Sequence, residues 1–301
     1  MDHKARFEAE IKEQGRELMA GEARVESEIK EQGCRFGAWV VGIASVEDVN
    51  RYAPKGHRPD DLLKGAKSVV VVGIGVTSAG GWRTGRAREQ ASVGYNRAAS
   101  PSVAQQIVEL IERKYGYYAL LCPPGSANGR DPYLSLKLLA EMAGLGTRSM
   151  AAGIVLNETY GLLYFGAALT TMPLAADGPL QKPVCPHPSC VKLWDRKGTV
   201  PCLDACPTCL SGELEGDAIK WMEYKQSYCL PRAQTTGMGS FQKLLLDAMD
   251  EPDARKRKMI IYGSHFARVA SSMAYSAEVV AQCFECVRRC PVDRNCRARL
   301  K

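Results

Sequence analysis

Up to Pro183, two kinds of apolar pattern alternate along this 301-residue chain. Unbroken short runs, Ala38-Trp-Val-Val-Gly-Ile43 and Ser68-Val-Val-Val-Val-Gly-Ile74, predict strands of the buried kind found where helices cover a sheet. Elsewhere the apolar residues return at helical spacing. Val103, Ile107, Leu110 and Ile111 mark a helix over 102–115, and Leu136, Leu139 and Ala140 mark a second over 135–143 that stops at Gly144-Leu-Gly146. Gly116-Tyr-Tyr-Ala-Leu-Leu121 predicts another strand, and the apolar stretch from Tyr160 to Thr171, with small residues interleaved, predicts either a strand or a tightly packed interface. Alternating strands and helices place residues 25–182 in the α/β class, read broadly enough to include α+β.

Residues 1–24 form an N-terminal helical extension in this reading. The hexapeptide Glu-Ile-Lys-Glu-Gln-Gly occurs at 10–15 and again at 28–33, and the second copy opens the domain proper. At the other end, Pro183, Pro186 and Pro188 mark the boundary to a second domain, 183–301, interrupted by an insertion over 230–282. Ser240–Met249 and Lys258–Gln282 make that insertion helical. One motif loses force on inspection: Gly73-Ile-Gly75 follows a strand, but the third glycine of a dinucleotide fingerprint is missing and no helix start follows.

Ten of the twelve cysteines lie beyond Pro183, and two Cys-x3-Cys runs among them close with proline, Cys202-x3-Cys206-Pro207 and Cys283-x2-Cys286-x3-Cys290-Pro291. In the bacterial ferredoxin run three closely spaced thiolates hold one [4Fe–4S] cube and the cysteine before proline crosses to the other. The second run lacks its first cysteine, and Cys229 is the natural replacement. The first keeps only its end and recruits Cys185 and Cys190 across eleven intervening residues. Crossing the pre-proline cysteines gives one cluster on Cys185, Cys190, Cys202 and Cys290 and the other on Cys206, Cys229, Cys283 and Cys286. Cys209 and Cys296 are left over, and an exchange between Cys206 and Cys209 stays open.

Other uses of cysteine fit less well. Zinc would favour two matched Cys-x2-Cys pairs, often with histidine. A disulfide framework needs an oxidising compartment, whereas the charged start Met1-Asp-His-Lys-Ala-Arg6 has no apolar core of a leader. No apolar run is long enough to span a bilayer, and the adjacent arginines Arg288-Arg289 lie far from any export-signal position, so a cytoplasmic setting is expected. The net charge of +7 is concentrated in Arg255-Lys-Arg-Lys258 and in the tail from Arg288 to Lys301, patches that could face nucleic acid, an acidic electron carrier, or only solvent.

Arg58-Pro-x-x-Leu-Leu-x-Gly-Ala-Lys-Ser-Val-Val-Val-Val72, Leu139-Ala-Glu-Met-Ala-Gly-Leu-Gly146, Tyr160-Gly161, Leu169-Thr-Thr-Met-Pro-Leu174 and Cys202-x3-Cys206-Pro-Thr follow one another within residues 25–291. In that order they resemble landmarks of the epoxyqueuosine reductase and reductive dehalogenase superfamily, a match from about Val25 to Pro291. The resemblance implies a nitroreductase-like cobalamin-binding domain followed by a ferredoxin-like module with two [4Fe–4S] clusters. It implies base-off cobalamin, and none of the four histidines stands in an Asp-x-His-x-x-Gly setting. Electrons would pass from a ferredoxin or flavodoxin through the clusters to Co(I), which would reduce a small organic substrate or epoxyqueuosine in tRNA. As proton donors it suggests Tyr95 with Arg97, or Asp131, which is one position out of register with the family's acid. Near the corrin it suggests Gly144, Gly146, Tyr160 and Gly161, where the missing glycine Cβ permits close approach. The stretched Cys185-x4-Cys190-x11-Cys202 departs from the family's first run. The rival reading is an electron-transfer or cofactor-handling protein with no substrate chemistry of its own.

Overall fold

A computed structural model of the chain describes residues 24–76, 80, 83, 99–122, 133–229, 237–276 and 285–293. The first copy of the hexapeptide, Tyr95, Arg97, Asp131, Cys283 and Cys296 lie outside the described residues.

Helix α1 spans residues 24–35 and leads into strand β1, Val40–Ser45. The Ser45 side chain then caps α2, Val46–Tyr52, by accepting from Glu47 N and Asp48 N. A short turn of helix, α3, Pro59–Leu62, returns the chain to β2, Ser68–Gly75, every residue of which is buried. Helix α4, residues 99–110, runs into a π-turn over Ile111–Tyr115, and β3, Ala119–Leu121, follows. Ser135 caps α5, Leu136–Met142, and three strands come next: β4, Thr147–Arg148, β5, Val155–Asn157, and β6, Gly161–Thr170.

These six strands form one sheet in the order β1-β2-β6-β5-β4, with β3 on the last residues of β6, and every pairing is antiparallel. Of the two class names allowed by the pattern, α+β is therefore the one that holds. The alternation of helices and strands is real, but each connection brings its strand back to run against its neighbour.

Period-two geometry explains why β2 is a run of valines. Val69 and Val71 face one side, against Val49 of α2 and Leu139 and Ala140 of α5, while Val70 and Val72 face the other, against Ile29 of α1 and Val103 and Ile107 of α4. Each fully buried valine contributes roughly 1.5–3 kcal/mol. Gly166 on β6 lets α4 approach, since a Cβ there would fall 2.4 Å from the Ser100 carbonyl oxygen. Asp177 holds the far edge, accepting from Ile43 N at 2.7 Å and pairing with Lys30 of α1 at 2.5 Å.

Beyond Pro183 come α6, Pro188–Lys197, and α7, Pro201–Ala205. A hairpin that the sequence pattern does not predict follows, of β7, Leu210–Glu215, and β8, Ala218–Tyr224. A single turn, α8, Gln226–Cys229, leads to the helical insertion: α9, Gly237–Asp250, α10, Ala254–Tyr262, and α11, Ser264–Ser276. The helix expected to run on from Lys258 is thus broken at Gly263. Helix α12, Glu285–Arg289, carries Cys286 and leads into Cys290. Among the described residues, no helix is long and apolar enough to cross a membrane.

Candidate functional site

Cys185, Cys190, Cys202 and Cys290 come from four separated points of the chain and line one small cavity, with Met150, Ala151, Val200 and Val292 among its walls. Local chemistry places each of them. Pro188 starts α6 two residues before Cys190, and the His187 side chain caps that helix by accepting from Ser189 N at 3.2 Å. Pro201 starts α7 and sets Cys202 in its first turn, while Cys290 ends α12. All four are free thiols, and Cys190, Cys202 and Cys290 are buried.

Burial pushes the Cys185, Cys190 and Cys290 thiols up to about 11, and Cys202 higher still. Working against burial, backbone N–H groups donate to each sulfur: Met150 to Cys185, His187 to Cys190, Leu203 to Cys202, and Val292 with Asp293 to Cys290. Ser189 adds a side-chain hydrogen bond to Cys190. Converging thiols that already receive N–H donors are suited to carry negative charge once a cation replaces their protons.

A second group lies alongside. Cys206 and Cys286 are hydrogen-bonded to each other, and this contact, with burial second, holds the Cys286 thiol far above its ordinary range. Cys229 is near enough to add to that shift, and so is Cys202 of the first group, which makes the two sets neighbours. Tyr224, at the end of β8, is hydrogen-bonded to Cys229, and burial before that bond raises its phenol. Cys209, fully buried, also acts on Tyr224, so it sits at the edge of this group. The structure thus brings together all four thiols predicted for the first cluster and three of the four predicted for the second, Cys283 being outside the described residues. Among the described residues no three His, Cys, Asp or Glu side chains converge as a single ion would need.

None of the residues suggested for the corrin lines the four-thiol cavity, although Gly161 abuts the segment that follows Cys290. Tyr160 is half-exposed and packs its ring against Trp39, centroids 5.4 Å apart. Gly161, at φ +71°, has Asp293 where its Cβ would be: the carboxylate oxygen would stand 2.5 Å away, and it accepts from Leu162 N at 2.9 Å. Gly144 follows α5 in the left-handed region, with the Gly178 carbonyl oxygen 2.7 Å from its would-be Cβ, and Gly146 abuts the Leu156 carbonyl oxygen at 2.4 Å. In three of these four places, protein backbone or Asp293 occupies the space that a missing Cβ leaves.

Two further cavities matter. One of about 110 Å³ adjoins the second thiol group and is lined by Lys137, Leu162, Tyr164, Tyr224, Cys229 and Cys286. Crowding by protein, with Arg148 as a second positive charge, lowers the Lys137 pKa; the residue keeps more than a third of its surface in water, which damps the effect. The other cavity, about 730 Å³, opens between α2 and α5, and Gly146 is on its wall. Its wall mixes Val49, Leu134, Leu138, Leu139 and Met142 with polar groups, of which Ser135, Thr147 and Glu141 accept from Leu138 N, Val184 N and Arg148. Tyr224 and Lys137 are residues that sequence reasoning missed. Nothing in their neighbourhood advertises them, because the unpredicted hairpin and the tertiary fold carry them there.

No protein-family model matches the chain, and no curated protein matches it. Solved structures do. An epoxyqueuosine reductase with a tRNA-Tyr epoxyqueuosine-modified tRNA stem loop superposes with TM-score 0.52 at 17% identity, covering 90% of this chain and 66% of its own. A selenomethionine-labelled epoxyqueuosine reductase gives 0.50 at 16% identity with the same coverage. The catabolic reductive dehalogenase NpRdhA gives 0.47 at 18% identity over 83% of this chain and 36% of that one. At such identities the likeness is one of fold, and the two epoxyqueuosine reductase superpositions carry it. The chain spans 66% of the length of those reductases.

Proposed function

We propose that this protein is an iron–sulfur oxidoreductase of the epoxyqueuosine reductase and reductive dehalogenase type, taking electrons from a soluble carrier and delivering them to an organic substrate. The observation that carries the reading is the convergence of Cys185, Cys190, Cys202 and Cys290 on one cavity, the set demanded by crossing the pre-proline cysteines. Cys206, Cys229 and Cys286 supply a second donor set beside it, with Cys283 as the fourth ligand and Cys209 as the alternative to Cys206. The donor chemistry fits two [4Fe–4S] clusters, which when bound supply one-electron storage and transfer.

The chain's own part is to hold and insulate. Backbone N–H groups of Met150, His187, Leu203, Val292 and Asp293 stabilise thiolate charge, and Met150, Val200, Val287 and Val292 keep water from the sulfurs. Tyr224, bonded to Cys229 and facing the 110 Å³ cavity, is the group placed to hold a proton beside the second set. That cavity is well below the roughly 300 Å³ at which ligand sites begin, so a corrin ring would not fit it, whereas the cavity of about 730 Å³ between α2 and α5, with Gly146 on its wall, exceeds that size and contains none of the thiols. No step is routed through cobalt, and cobalamin enters the proposal as a quantity to measure. The tRNA stem loop held by one structural neighbour and the excess of basic residues here make epoxyqueuosine in tRNA one substrate to assay; small halogenated or ether-linked aromatics are the others.

The test is anaerobic purification followed by iron, sulfide, zinc and cobalt analysis. The proposal expects about eight irons and eight sulfides per chain, with about half lost in Cys202→Ser, and reduction of the clusters by ferredoxin or flavodoxin. Zinc in place of iron, or a full iron complement in Cys202→Ser, would overturn it. One cobalt per chain would add the corrinoid; none would leave the iron–sulfur reading standing without it.

A further inference from the structure

Helix α10 divides its polarity end from end rather than side from side. Its first turn carries Arg255, Lys256, Arg257 and Lys258, all exposed, and its last turn carries Met259, Ile260, Ile261 and Tyr262. None of its residues is buried: Met259 is 73% exposed, Ile261 42% and Tyr262 86%. The acidic residues nearby are Asp250, Glu251 and Asp253. Asp253 is engaged as the helix cap, accepting from Arg255 N and Lys256 N, and Glu251 accepts from Asp253 N. No ion pair to the four cations appears among the described residues.

From this arrangement we propose that α10 docks the protein on an anionic lipid surface, the basic turn meeting headgroups and the apolar end entering the interface. Four adjacent cations are the charge pattern that holds a helix at an anionic bilayer. Bulky apolar side chains beside them supply the part that charge alone does not. The remaining partners fit less of the geometry. A polyanionic RNA would satisfy the cations and leave Met259, Ile261 and Tyr262 in water. An acidic protein carrier would need a pocket for three side chains that protrude, whereas a soft interface accommodates protrusions without one. Tyrosine, with an apolar ring and a polar tip, suits the boundary itself. The inference stands on α10 alone and does not depend on the reductase reading.

The experiment is co-sedimentation of the full chain, purified anaerobically, with vesicles of phosphatidylcholine alone or mixed with phosphatidylglycerol. Binding to the mixed vesicles should be at least about tenfold tighter and should weaken with salt. Two variants separate the components: Arg255→Gln, Lys256→Gln, Arg257→Gln and Lys258→Gln together, and Met259→Ser, Ile261→Ser and Tyr262→Ser together. Each should lose about tenfold or more in vesicle affinity while keeping the iron content of the unmodified protein. In a third variant, Tyr262→Trp should shift its emission to the blue on adding anionic vesicles. Failure to sediment with anionic vesicles overturns the proposal. So does vesicle binding that survives the apolar triple substitution, or a basic quadruple variant that loses affinity for a tRNA stem loop and none for vesicles.

Discussion

Gly161, marked in the sequence beside Tyr160, has a neighbour in the fold that the sequence does not name. Its φ of +71° lies in the left-handed region, where a side chain is strained by about 1–2 kcal/mol, and the space a Cβ would take holds the Asp293 carboxylate. That carboxylate is buried and accepts from Leu162 N, so the glycine seats the segment that follows Cys290 onto β6. Gly161→Ala should therefore destabilise the protein by roughly 2–4 kcal/mol, measured by denaturant unfolding. It should also loosen Cys290, seen as slower or incomplete iron loading. An alanine variant of unchanged stability and iron content would refute this account. The sequence marked the position through Tyr160-Gly161, but a glycine's neighbour is a tertiary fact, and Asp293 is 132 residues away. The cysteines were more legible. Thiols that share a cluster must converge, so the spacing before proline limits which sets are possible, and Cys185, Cys190, Cys202 and Cys290 do meet. Lys137 and Tyr224 carry no comparable constraint in the chain.

At the scale of elements, legibility follows burial. The valine run of β2 and the helical spacing of Val103, Ile107 and Ile111 were visible because both faces of the sheet are covered and the periodicity is enforced. The hairpin of β7 and β8 was missed although its two-residue turn, Gly216-Asp217 with Gly216 at φ +61°, is written in the chain; its strands are half-exposed and their register slips between Glu213 and Leu214, so no clean alternation flanks the turn. The insertion was legible as helix and misjudged in length at Gly263. Helices α9, α10 and α11 pack chiefly on one another, around Ala248, Val269 and the Phe241–Phe266 ring pair at 5.4 Å. A unit with its own small core contributes little to the stability of what carries it. Replacing residues 237–276 by a flexible Gly/Ser linker should leave the melting temperature of the remainder within a few degrees and the iron content unchanged. A collapse of iron loading in that variant would instead make the insertion part of the scaffold that brings Cys229 to Cys286.

For the molecule as a whole, three apolar clusters divide the work. Two lie on the faces of the sheet and contain none of the candidate ligands. The third joins the two halves of the chain: Cys190, Cys202, Cys206, Cys209, Cys286 and Cys290 are packed with Met150, Leu156 and Leu162 from the sheet domain and with Leu210 and Leu214 from the hairpin. If iron–sulfur clusters fill the thiol sites, this third core is built around them, while the other two are ordinary hydrophobic cores. Removing the metal must then act unevenly. Buried thiolates left without a cation take up protons and give up the bonds that tied four separate segments together, whereas β1, β2 and β6 keep every contact they had. Anaerobic chelation followed by amide hydrogen exchange should show protection falling by orders of magnitude over 185–206 and 285–293, with little change over 68–75 and 163–170. Leu162 N, bonded to Asp293, should follow the cysteine segments although it belongs to β6. Loss of protection spread evenly over the chain, or none at all, would mean that the thiol sites do not hold the two halves together.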